Sequence, residues 1–218
     1  MKALWKVDVL ALLMIAAMFI LAAVHWSAAP SQIPVHWNFA NEPDRFGGRF
    51  EGLFGLPLAA AGVYALLLVL PRFDPRRTNY DAFAGPFAII RTVVVGLLFG
   101  LDIVVLLWIR GERAHLNTLV AAEIGVALIL LGNYLPKVKS NWFVGVRTPW
   151  TLSSESSWRR THRLAGWLFT LGGLLTVTAA LSFPELARPV MFGTLMATIA
   201  TSFVYSYIVW KNDPQRTA

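Results

Sequence analysis

PFAIIRTVVVGLLFGLDIVVLLWIRGERAHLNTLVAAEIGVALILLGNYLP, Pro86 to Pro136, decides the fold class. Two apolar runs, 87–109 and 116–135, stand on either side of a six-residue polar turn, Arg110 to His115. At about 1.5 Å per helical residue each run spans roughly 30 Å, the thickness of a bilayer's hydrocarbon core. The stretch therefore reads as a hairpin of two transmembrane helices. Outward from it, four further runs of similar length lie at 9–26, 53–70, 164–181 and 190–210. With 56% hydrophobic and only 14% charged residues, and a mean hydropathy of +0.58, six spans absorb most of the 218 residues. An all-α integral membrane protein follows: one polytopic domain over 1–218, with an ordered outer loop at 27–52 and a long inner loop at 136–163. A soluble catalytic domain of ordinary size has no room.

Basic residues set the expected orientation. With the N-terminus inside, the inner segments hold 13 Lys and Arg against 5 in the outer ones, Arg91 lying within the third span. That excess places both termini in the cytoplasm. The first run could also be read as a signal peptide, with Ser27, Ala28 and Ala29 as the small residues near a cleavage site, but it is longer than an ordinary signal core, and an anchor helix is the expectation. The net charge of +7 is spread over helix ends, so anionic membrane lipid, not nucleic acid, is the expected counterpart. Cys is absent, which removes disulfides, thiolate metal sites and cysteine nucleophiles. Gly96 and Gly100, and the stripe Gly193, Ala197 and Thr201, are expected to let helices approach closely within the chain.

Two carboxyls fall inside the spans. Asp102 is seven residues before the end of the third run and Glu123 seven after the start of the fourth, so a hairpin sets both about 10 Å below the outer surface. Each costs about 2.5 to 3.5 kcal/mol if charged and facing lipid, so both are expected to turn inward. Three arrangements would compensate them: a structural polar lock, a shared proton or ligand site, or a divalent metal completed by His25, His36 or His115. No ligand spacing supports the metal reading, so no metal or other cofactor is expected. Arg91, three turns from Asp102 and about 16 Å away, is expected to snorkel inward instead of pairing.

The outer loop, SQIPVHWNFANEPDRFGGRFEGLFGLP from Ser31 to Pro57, places Pro34, His36, Trp37 and Asn38 together, while Pro43, Asp44, Gly47 and Gly48 read as turn chemistry. Two readings stay open: an exterior recognition surface, or aromatics (Trp37, Phe39, Phe46, Phe50) that seat the loop on the bilayer. The inner loop, GNYLPKVKSNWFVGVRTPWTLSSESSWRRTHRLAG from Gly132 to Gly166, is the richest stretch. Thr148 and Pro149 form a turn, Ser153 is a candidate N-cap with Glu155 in the first turn, and Trp158 and His162 share a helix face that runs on into the fifth span. Asn133, Arg147, Thr148 and His162 read as a buried polar set. Ser153, Ser154 and His162 lack a nucleophile elbow and an acidic orienter, so an enzyme is not expected.

These inner-loop residues resemble the bacterial SdpI family of integral membrane immunity proteins. The family pattern is matched by Gly132, Asn133, Pro136 and Lys137, by Asn141, Phe143, Gly145, Val146, Arg147, Thr148, Pro149, Trp150, Thr151 and Leu152, and by Trp158, Thr161 and His162. The outer segment Pro34 to Asn38 is similar to the N-terminal region that accompanies the family. The resemblance implies protection against a secreted peptide or protein toxin and, as in the family's best-known member, signalling that draws a cytoplasmic transcriptional repressor to the membrane. A small-molecule or proton-coupled transporter is the alternative reading.

Overall fold

A computed structural model of the protein describes residues 2–38, 42–113 and 116–216. Six long helices, α1 (Lys2–His25), α2 (Arg49–Phe73), α3 (Ala84–Ile109), α4 (Leu116–Tyr134), α6 (Glu155–Ser182) and α7 (Pro184–Lys211), are each long and apolar enough to cross a membrane. The chain is a multi-pass membrane protein. A one-turn helix, α5 (Pro149–Ser153), lies between α4 and α6. As expected from the sequence, α6 starts well before its apolar run, because Ser154 caps it by accepting from the Ser157 amide.

Two strands, β1 (Ile33–Trp37) and β2 (Pro43–Gly47), pair antiparallel between α1 and α2. Pro43, Asp44 and Gly47 therefore belong to a strand, which corrects their reading as a turn. The hairpin is seated by Ile33, fully buried against α2, where Gly52 leaves no side chain to collide with it.

The helices pack as two sets of three. One set is α1, α2 and α3; the other is α4, α6 and α7; the two meet along α3 and α4. In the second set α4 and α6 approach at backbone distance, since a Cβ on Gly125 or Gly132 would run into Gly173 or Gly166 carbonyls. Of the glycines expected to allow close approach, Gly100 does so, with Glu123 of α4 against it, whereas Gly193 has open space around a built Cβ and the Gly193, Ala197 and Thr201 stripe faces outward. The polar stripe Thr198, Ser202 and Ser206 is what α7 buries.

At the end opposite the hairpin the sets are clasped. Asp74, just past α2, accepts from the Arg76 amide, the Tyr80 hydroxyl (3.0 Å) and the Trp142 amide (2.9 Å). Arg76 bonds Ser140 and the Leu152 carbonyl, and Asn79 donates to the Ser140 carbonyl. One end of the bundle is sewn shut while the other carries the hairpin.

Candidate functional site

At the hairpin end residues of both helix sets line a cavity of about 1210 Å³. The run Pro34, Val35, His36, Trp37 and Asn38 borders it on one side. Its walls are apolar, from Leu56, Leu101, Val104, Leu116, Val120 and Met191. Its rim is polar, and two of the rim's cations are already paired: His36 Nδ1 lies 2.6 Å from Asp44, and Arg45 donates to Glu51 at 2.7 Å. Arg188 and Glu185 of α7 also line it. The structure thus joins the four outer-loop residues singled out in the sequence to one concave, mostly apolar site, the form ligand pockets take. Phe39 lies outside the described residues.

The inner-loop motif does something else. Asn141, wholly buried, accepts from the Phe143 and Val144 amides and donates to the Lys139 and Val144 carbonyls, folding the loop around itself. Gly145 has φ +112°, a region L side chains avoid, and a Cβ there would strike the His162 ring. His162, also fully buried, accepts from the Val146 amide at Nε2 (3.1 Å) and donates from Nδ1 to the Trp158 carbonyl (2.8 Å), so the neutral ring satisfies both bonds. Trp158 stacks on it with ring centroids 4.0 Å apart and donates to the Val138 carbonyl. Thr148 and Thr151 form a reciprocal capping box around Pro149, and Thr148 also reaches Ser206 of α7. Trp150 packs its ring against Phe203 and Tyr207. The motif side chains are spent on one another, so this end is a folded knot that holds α6 and α7 to the loop.

Two expected members of the buried set, Asn133 and Arg147, stand outside it. Asn133 is exposed, as is the motif's Pro136, and so is Arg147, whose guanidinium donates to the Trp142 carbonyl alone among the described residues. Ser153 does not cap α6; Ser154 does.

Nor do the intramembrane carboxyls meet. Glu123 packs into the notch left by Gly100 on α3. Asp102, two residues on, projects about 200° around the helix from Gly100, toward the face where Val95 and Leu106 pack on α1 and α2. It is 2% exposed and its Oδ2 has no hydrogen-bond partner. The matched depth was a sound inference; the missing variable was the angle around α3. Arg91 corrects the expectation of snorkelling: it donates to Asp8 of α1 at 2.7 Å, with its guanidinium over the Phe87 ring, and Thr92 beside it reaches the Val7 carbonyl. Among the described residues no three His, Asp or Glu side chains group as a metal site. His25 instead bonds the Leu21 carbonyl and Arg110, and His115 lies outside the described residues.

The chain is 21% identical to the immunity protein SdpI of Bacillus subtilis (strain 168) over 206 residues, 94% of this chain and 97% of the relative. Residues 137–208 match the SdpI/YfhL protein family. Residues 13–61 match a domain of unknown function, DUF1648. No solved structure matches the chain.

The two matched segments fall on different parts of the fold. The family segment runs from the clasped loop through α7, and the DUF1648 segment covers most of α1, the strand hairpin and the start of α2. Sequence reading missed Asp8, the partner of Arg91, because it sits among Lys2 and Lys6 at a helix start where a carboxylate is unremarkable. It also missed Asp74, Arg76 and Asn79, whose signal is only a polar cluster after Pro71. Ser206 was hidden in an apolar run.

Proposed function

We propose that this chain is an SdpI-like immunity protein of the bacterial cytoplasmic membrane that protects against a secreted antimicrobial toxin by receiving it in the hairpin-end cavity. The hairpin end faces outward and both termini lie in the cytoplasm, in keeping with the excess of Lys and Arg at the clasped end. The observation that carries the reading is the placement of Pro34, His36, Trp37 and Asn38 along a large apolar cavity with a polar rim. The name of the B. subtilis relative supplies the class of activity. The chain acts by binding, not by catalysis. Signalling to a cytoplasmic repressor falls to the opposite end, where Lys137, Lys139, Arg147, Arg159 and Arg160 are exposed and carry no ion pair among the described residues.

The test is survival of a sensitive strain that expresses the chain and is challenged with secreted antimicrobial peptides, run beside solute and proton flux in vesicles holding the purified protein. Protection without flux is the expected result. Flux without protection would make the chain a transporter and overturn the reading.

A further inference from the structure

The hairpin-end cavity has a feature that names the chemistry of its occupant, on the reading that the cavity is where the toxin is received. Of the three arginines and histidines on its lining, His36 and Arg45 are neutralised by Asp44 and Glu51. Arg188 is different. It is half-buried on α7, lines the cavity, and makes no hydrogen bond, ion pair or ring contact among the described residues. A guanidinium is always charged and presents its N–H groups as a planar fork that fits a carboxylate or a phosphate. It stands half-buried in a lining that also includes Met191, one turn on, and keeps its charge unspent. Glu185, one turn earlier, is exposed at the rim, so the solvent side of the site disfavours a second anion.

The opposite wall favours a polypeptide over a lipid chain. Five consecutive residues, Pro34 to Asn38, border the cavity, so the backbone of β1 runs along it. Among the described residues β1 has β2 as its one strand neighbour, so its other edge carries no strand there. Such an edge offers main-chain groups to an extended peptide, and apolar walls take alternate side chains.

We infer that the cavity binds the C-terminal end of an apolar peptide in extended conformation, its main chain against β1 and its terminal carboxylate on Arg188. Arg188 is then the specificity-determining residue of the site. The β1 edge and the walls supply binding that is independent of the end group.

The experiment uses the full chain in phosphatidylcholine nanodiscs and a fluorescein-labelled peptide, Gly-Ser-Val-Leu-Val-Phe, made as free acid and as C-terminal amide. Fluorescence anisotropy should show the acid bound about tenfold or more tighter than the amide, the scale of a charge-assisted bidentate contact. Arg188→Gln should abolish that difference, and Arg188→Lys should restore part of it. Equal binding of acid and amide, no binding of either, or a preference that survives Arg188→Gln overturns the inference. So does loss of acid binding when phosphatidylglycerol replaces part of the phosphatidylcholine, because the site would then belong to a lipid headgroup. If the acid preference holds and the chain gives no survival, the site stands and the immunity reading falls. If the chain protects and Arg188→Gln protects equally, the immunity reading stands and this inference falls.

Discussion

Gly145 and His162 form the tightest junction in the clasped loop, and replacing them tests whether the motif is a folded knot. Gly145→Ala forces an L residue to φ +112° and drives its Cβ into the His162 ring, 3.1 Å from Cδ2 and 3.3 Å from Cε1. The backbone strain costs about 1 to 3 kcal/mol. Displacing the ring also leaves the Val146 amide without its acceptor, about 1 to 3 kcal/mol more for a buried donor. A total of about 2 to 6 kcal/mol is expected. His162→Ala removes the same hydrogen bond, a second one to Trp158, and a stacked ring, and should cost about 3 to 5 kcal/mol. In the double variant there is no ring to strike and the shared hydrogen bond can be lost only once. Its cost should therefore fall short of the sum by about 1 to 3 kcal/mol. SDS titration in mixed micelles followed by tryptophan fluorescence reads this out, with Trp158 stacked on the perturbed ring. Additivity within about 0.5 kcal/mol, or a Gly145→Ala protein as stable as the parent, would refute the knot.

Arg91→Met or Asp8→Asn alone should destabilise the α1–α3 contact by about 3 to 5 kcal/mol, and the double variant should recover part of that loss, because each single change leaves a buried group unpaired; equal losses that simply add would show the pair to be incidental. Asp102→Asn and Glu123→Gln should be additive within about 0.5 kcal/mol in the same titration, since the two carboxyls project to different sides of α3; strong coupling would mean that they meet. Arg147→Ala should cost about 1 kcal/mol or less, the worth of one exposed hydrogen bond, with Arg147→Lys near the parent; a loss of 3 kcal/mol would restore the buried network. With no native Cys, a thiol at exposed Ser31 should react with an impermeant maleimide in intact cells and one at exposed Lys139 should not; the reverse pattern inverts the topology.

The helices were legible because each is a long apolar run, and a run needs no partner to be recognised. The α6 start was legible from the serines before Glu155, one position apart from the true cap. The strands were not, since Pro34 and Pro43 in five-residue segments suppress the alternating pattern that marks a strand. Depth within the bilayer could be counted along the chain, which placed Asp102 and Glu123 level, but their separation depends on which flank of α3 meets α4. Pairing across helices was equally hidden: nothing local to Arg91 points to Asp8, and nothing local to Thr148 points to Ser206. For the site, sequence motifs found both ends of the molecule. They did not tell which was open, because a side chain committed to its own loop and one lining a cavity look alike in sequence. Asn141 and His162 are of the first kind; Trp37 is of the second.

Capture of a secreted toxin at the hairpin end is measured most directly by survival of a sensitive strain carrying Trp37→Ala or His36→Ala. Both side chains line the cavity; His36 is exposed and Trp37 is half-buried against the core, so membrane levels are measured beside survival. Expressed equally, they should lose most of the protection that the parent chain and Arg147→Lys give. Full protection by both variants, with membrane levels unchanged, would contradict the assignment of toxin recognition to this cavity.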